Sequence, residues 1–147
     1  MKIRQLSLFL ENRPGQLLVP CRVLGEAGFD ILTMSLADTQ QFGILRLIVK
    51  HADRAKALLE QAGMVVNVTE ILAVEVPDRP GGLAEVLAAF DRAGLGVEYM
   101  YPFATRERGK SATLLFRLED PDRAIEALRA NGVRLSSAEE LFARAEA

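Results

Sequence analysis

The sequence predicts an α+β protein built twice from one small unit, and three observations predict it. Asn12-Arg13-Pro14-Gly15 recurs as Asp78-Arg79-Pro80-Gly81, an offset of 78 − 12 = 66. The same offset relates Leu6, Leu8 and Leu10 to Leu72, Val74 and Val76, and then Leu17, Gly28 and Met34 to Leu83, Gly94 and Met100. In both copies the apolar residues alternate at period two before the turn and switch to helical spacing after it.

Each element is thereby read twice. Leu6, Leu8 and Leu10, like Leu72, Val74 and Val76, mark a strand with one buried face. Leu17, Cys21 and Leu24, and in the second copy Leu83, Val86, Leu87 and Phe90, follow helical spacing, with Gly28 and Gly94 as the stops. Pro20 falls inside the first of these helices, where its missing N–H predicts a kink. Residues 31–36 and 97–101 are β-branched or aromatic enough for second strands, and residues 43–49 and 112–118 for third strands. Beyond them Asp53-Arg54-Ala55 matches Asp122-Arg123-Ala124, where the offset has grown to 122 − 53 = 69. The added residues fall at Arg106-Glu107-Arg108-Gly109-Lys110, which reads as an exposed hairpin loop. Asp53 and Asp122 are placed to cap short helices ended by Gly63 and Gly132. Residues 64–69 supply a fourth strand, and in the second copy Val133-Arg134-Leu135 gives a short one. Ser137-Ala138-Glu139-Glu140 then fits a capping box that opens a terminal helix through Phe142, suited to covering a sheet edge or a partner surface.

Each copy is thus β-α-β-β-α-β, the split pattern of ferredoxin-like folds. The expected whole is two domains, 1–70 and 71–147, packed side by side into an eight-stranded, mostly antiparallel sheet with helices on one face. Pairing through the second strands would make that sheet continuous. Its other face would keep alternating apolar residues and need a cover, which predicts a homodimer.

Composition excludes several functions. Half of the 147 residues are hydrophobic and the net charge is −2, so neither disorder nor long-range attraction to nucleic acid is expected. With His51 the only histidine and Cys21 the only cysteine, a zinc site needing two histidines, a Cys-x-x-Cys pair and an internal disulfide are all ruled out. No metal or other cofactor is implied. Met1-Lys2-Ile3-Arg4 does not open a signal peptide, and no apolar run approaches the roughly 18 residues of a membrane span, so a cytoplasmic protein off the membrane is expected. Cys21 matches Leu87 and reads as a small core residue, and His51 as a solvated loop residue.

The two turns carry the most chemistry. Asn12 or Asp78 offers a side-chain oxygen for capping, the prolines are preset for a first helical turn, and the glycines admit close approach. Helix amides after such a turn attract a carboxylate or phosphate. Capping preferences alone also explain every residue of the turn without a ligand.

Residues 6–17 with Gly28-Phe29-Asp30-Ile31 resemble an ACT domain, the small-molecule-sensing module of amino-acid metabolism. Residues 74–83 with Gly94, Val97 and Met100 resemble a second, and together the likeness spans about residues 1–136. The resemblance implies an amino acid, or a similar small carboxylate, held between the first turn of one copy and the second strand of its neighbour. By position it implies contacts at Asn12, Pro14, Gly15, Gln16 and Leu17, and at Asp78, Pro80, Gly81, Gly82 and Leu83. On the second strands it implies Thr33, Met34 and Ser35, with Glu98, Tyr99 and Met100. Helix amides would take the carboxylate, Asn12, Asp78 or Glu98 the ammonium, and Met34 or Met100 the side chain. Asn in one turn and Asp in the other predict two unequal sites.

The function implied is a regulatory or sensory protein without catalytic activity. An alternative is a regulatory subunit partnering a biosynthetic enzyme, similar to the small subunit of acetolactate synthase, although the second copy looks like another ACT domain. An acylphosphatase-like hydrolase, with Arg13 or Arg79 on phosphate and Asn12 positioning water, has only fold analogy behind it, and no general base stands beside those residues.

Overall fold

The computed structural model describes residues 1–39, 41–104 and 109–146. Arg106 and Arg108 of the expected hairpin loop lie outside them. The chain divides into two compact units, one of Arg4–Thr69 and one of Glu70–Ala147 with Met1–Ile3. Elements follow in the order β1 (Ile3–Glu11), α1 (Leu18–Glu26), β2 (Ile31–Thr39), β3 (Phe42–Val49), α2 (Ala52–Gln61) and β4 (Val66–Pro77). After them come α3 (Gly82–Arg92), β5 (Val97–Pro102), β6 (Ser111–Leu118), α4 (Pro121–Ala130), β7 (Leu135–Ser136) and α5 (Ala138–Glu146).

This is the α+β class with two β-α-β-β-α-β repeats. Seven strands are formed among the described residues where eight were expected, because the fourth strand of the first repeat and the first of the second are one, β4. Residues 66–77 contain no glycine, and Pro77 comes only at the end, so nothing in that stretch breaks an extended chain.

Both units use the same strand order. In the first, β2 pairs antiparallel with β3 and β3 with β1, with Leu36 opposite Leu45 and Leu8 opposite Leu45 from the other side. In the second, β5 pairs with β6, β6 with β4, and β4 with the two-residue β7. The second strand of each repeat, β2 or β5, pairs with the third strand of its own unit, β3 or β6.

Period-two alternation places Leu6, Leu8, Leu10, Leu45 and Leu47 on one face of the first unit, packed with Leu24, Ala55 and Leu59 of α1 and α2. Leu72, Val74, Val76 and Phe116 do the same in the second against Val86, Phe90, Ala124 and Leu128 of α3 and α4. The Phe90 and Phe116 rings meet edge-on, centroids 5.5 Å apart. Cys21 is half-buried on α1 rather than a fully enclosed core residue.

Several helix starts differ from expectation. Helix α1 begins at Leu18, so Pro20 lies in its first turn, where an N–H would have no intrahelical acceptor and no kink is needed. Asp53 and Asp122 sit within first turns; the preceding caps are His51, in the left-handed region at φ 60°, and Asp120, whose carboxylate accepts from the Arg123 N–H. Asp122 instead meets the Lys2 ammonium at 3.0 Å and Asp53 the Arg4 guanidinium. The capping box at Ser137 forms: its hydroxyl accepts from the Glu140 N–H, and its own N–H donates to the Glu140 carboxylate. Helix α5 then runs past Phe142 to Glu146.

Candidate functional site

The turn after β1 is made by a glycine that must be one: Gly15 has φ +86°, as Gly81 has φ +83° in the second repeat. Neither Asn12 nor Asp78 caps the helix that follows. Helix α1 is preceded by Leu17 and helix α3 by Gly81, and neither end receives a side-chain hydrogen bond. Capping therefore does not account for Asn12, and the Leu18 and Val19 amides that open α1 ahead of Pro20 carry the partial positive charge of a helix start.

The repeats part company one residue beyond the glycine. Gly82 starts α3 against the strand it has just left: a Cβ there would lie 2.0 Å from the Pro77 carbonyl oxygen. Its counterpart in the first repeat is Gln16 (82 − 66 = 16), and α1 begins two residues later than that position. A half-open pocket of about 180 Å³ is found beside this turn.

Asn12, Arg13, Gln16 and Leu17 line the pocket from the turn, Leu10 and Glu11 from β1, and Leu36 and Asp38 from β2. The Asn12 amide points its Nδ2 at Asp38, 3.4 Å and 3.5 Å from the two carboxylate oxygens, long for a hydrogen bond. The Arg13 guanidinium is held by Glu11. Asp38 thus faces the pocket as an exposed carboxylate within reach of the Asn12 amide. The pocket offers an anionic group and the apolar Leu10, Leu17 and Leu36, and Leu17 leads directly into the start of α1.

Of the residues expected in the first repeat, Asn12, Gln16 and Leu17 are brought together here, while Pro14 and Gly15 shape the turn without lining the pocket. The second-strand residues shift toward the C-terminal end of β2. Thr33 is buried, Ser35 stands opposite Arg46, and Met34 is exposed on β2 outside the lining. Sequence reasoning missed Leu36 and Asp38, although Met34, Leu36 and Asp38 alternate along one face of the strand. That period-two continuation was the available signal.

The second turn is arranged differently. Arg79 folds back onto Glu85, 2.8 Å away, and the Asp78 N–H donates to the Lys110 carbonyl. Glu98 is paired with Arg117 at 3.2 Å, Tyr99 stands opposite Arg117, and Met100 opposite Phe116. A groove of about 470 Å³ does exist in this unit, but none of Asp78, Pro80, Gly81, Gly82, Leu83, Glu98, Tyr99 or Met100 lines it. Asp38 has Ala104 as its counterpart (104 − 38 = 66), so the second turn has no carboxylate in that place.

Two β-α-β-β-α-β repeats, each with a glycine turn before its first helix, define a paired ferredoxin-like module. Residues 1–144 match the model of the ACT domain pair family, and the chain belongs to that family. It is similar over 97% of its length to protein BT0572 from Bacteroides thetaiotaomicron, with 35% identity, 96% of that chain covered and a TM-score of 0.88. The regulatory subunit of aspartate kinase from Thermus thermophilus, in its ligand-free form, shares the fold at 17% identity and a TM-score of 0.61, with 87% of this chain and 91% of that one covered. The corresponding subunit from Thermus flavus gives 16% identity and the same TM-score, over 88% and 92% of the two chains. No curated protein sequence matches the chain. Among the described residues no helix is long and apolar enough to cross a membrane, and no group of three or more His, Cys, Asp or Glu is placed to hold a metal ion.

Proposed function

We propose that the protein is a regulatory protein of amino-acid metabolism that binds a free amino acid without transforming it, and that the first unit carries the site. The observation that carries this reading is the pocket beside the first turn, where the Asp38 carboxylate shares a lining with the apolar Leu10, Leu17 and Leu36, and Leu17 leads directly into the start of α1. An α-amino acid is complementary to that arrangement: its carboxylate meets the amides opening α1, its ammonium meets Asp38 and the Asn12 oxygen, and its side chain lies on Leu10, Leu17 and Leu36. The small volume favours a short aliphatic side chain.

The test is a thermal-shift and calorimetric screen of the twenty amino acids. Saturation at a hundred times Kd adds about 2.7 kcal/mol to the stability of the folded state. Asp38→Asn should weaken binding about tenfold to a hundredfold, since a hydrogen bond to a charged group contributes about 1.5–3 kcal/mol. If no amino acid stabilises the protein at millimolar concentration, the reading fails.

The reading includes a homodimer. Phe9 and Phe42 are 52% and 49% exposed on the sheet face turned away from α1 and α2, an apolar pair that a second copy would cover. Sedimentation should show a dimer, and Phe9→Glu with Phe42→Glu should return it to monomer. A pull-down from native extract that retains a biosynthetic enzyme on the wild type but not on this double variant would favour the regulatory-subunit reading instead.

A further inference from the structure

The groove of about 470 Å³ in the second unit stands apart from the turn site and is of small-molecule size. Three cations line it: Arg92 at the end of α3, Lys110 before β6, and Arg134 before β7. Two acids also line it, but each is matched by a cation outside the lining. Glu75 is held by the Arg144 guanidinium at 2.8 Å, and Glu85 by Arg79 at 2.8 Å. Arg92 donates to a neutral acceptor, the Asn131 side-chain oxygen, at 2.6 Å, so its charge is left uncompensated by that contact. Arg134 meets Glu140 only at 3.4 Å, with its side chain 65% exposed. The local balance is positive although the whole chain is not.

The first repeat serves as an internal control. Arg92 corresponds to Glu26 (92 − 66 = 26), Lys110 to Gln41 (110 − 69 = 41) and Arg134 to Val65 (134 − 69 = 65). The backbone confirms the register, because Asn12 N–H donates to the Gln41 carbonyl just as Asp78 N–H donates to that of Lys110. At three positions that the shared fold leaves equivalent, only the second repeat carries a cation, and all three meet in one concavity. A strand partner is an unsuitable occupant, since Pro77 at this edge of β4 has no N–H to offer.

We propose that this groove is a second binding site, for a small molecule carrying at least two anionic groups, either carboxylates or phosphates. Arginines at both walls recognise such groups through paired N–H donors, and Lys110 adds a point charge. The site shares no residue with the pocket beside the first turn, so it stands or falls independently of the amino-acid reading.

The experiment is a titration of the ¹⁵N-labelled protein with succinate and, separately, pyrophosphate, each at constant ionic strength. Saturable shifts of the Asn131 and Gly132 amides are expected, and the two probes distinguish a carboxylate ligand from a phosphate one. Arg92→Glu and Arg134→Glu should each weaken binding at least tenfold, while Arg22→Glu, the same charge change on α1, should leave it unchanged. The dispersion of each spectrum reports folding, and if Arg92→Glu does not fold, the exposed Arg134→Glu decides. Absence of saturable shifts with both probes overturns the proposal, as does equal binding by Arg134→Glu and Arg22→Glu.

Discussion

Gly82 and Gln16 occupy the same place in two copies of one motif, and this single difference bears on the local shape of both turns. At Gly82 any side chain would meet the Pro77 carbonyl oxygen 2.0 Å away, an atom fixed by its strand. Relief would need the start of α3 to move off β4, where Gly82 itself is buried. Gly82→Ala should therefore cost about 3 kcal/mol, at the upper end of overpacking effects, as a lower urea midpoint with an unchanged slope. Gln16→Ala, exposed to the pocket, should change stability by less than about 0.5 kcal/mol. If both substitutions prove equally mild, close packing does not explain the second turn. The glycine's recurrence is visible in the sequence, but its steric reason is not, because the carbonyl that demands it lies across the turn and only coordinates bring it near.

At the scale of elements, α5 is the part the repeat does not explain. It extends one copy beyond the other and covers the face of β4 and β6 that points away from α3 and α4. Arg144 reaches Glu75 and also Thr113 and Ser136, while Leu141 is fully buried. In the first repeat the positions of Glu75, Ser111 and Thr113 hold Phe9, Phe42 and Ile44 (75 − 66 = 9, 111 − 69 = 42, 113 − 69 = 44). One unit thus has a polar cluster under its own helix, the other an exposed apolar face. Burial by itself would raise the Glu75 carboxyl, but donation from Ser136, Arg144 and Thr113 outweighs it and holds the group below the usual carboxylate range. Because the folded value is depressed, the stabilisation is present above the unfolded pKa and is lost as pH falls from about 5 through the folded value. Arg144→Ala leaves a buried carboxylate without its cation and should cost about 3 kcal/mol at pH 7. The deficit relative to wild type should shrink toward pH 3, because the variant's carboxyl, without its cation, takes up a proton first and so relieves the buried charge. Urea melts at the two pH values check this, and a deficit independent of pH would show that Arg144 acts by packing alone. The capping box announced this helix in the sequence. Its docking residue could not be read there, since Glu75 and Arg144 lie 69 positions apart and no periodicity links them.

For the whole molecule, duplication is the property most legible in the sequence, because period-two and helical alternation are imposed by the backbone and appear twice. What the repeats do differently depends on single side chains meeting across elements, as Asp38 meets Asn12, and that was read only in part. The difference leads to a definite stoichiometry. A zwitterionic ligand needs an anionic partner for its ammonium, and the second unit has Ala104 where the first has Asp38. Its other candidates are Glu98, which already accepts from Arg117 at 3.2 Å, and Asp78, whose turn is crossed by the Arg79 to Glu85 pair. Freeing Glu98 would sacrifice one charge-assisted contact to make another, with little net gain for an exposed pair. Calorimetric titration with the stabilising amino acid should therefore give one site per chain, and Asp38→Asn should weaken that site about tenfold to a hundredfold. Glu98→Gln should leave both affinity and stoichiometry within about twofold of wild type, since the loss of an exposed ion pair is worth at most about 1 kcal/mol. Two equal sites per chain, or loss of binding in Glu98→Gln, would mean that the second turn opens in solution and that the asymmetry between Asp38 and Ala104 does not control binding.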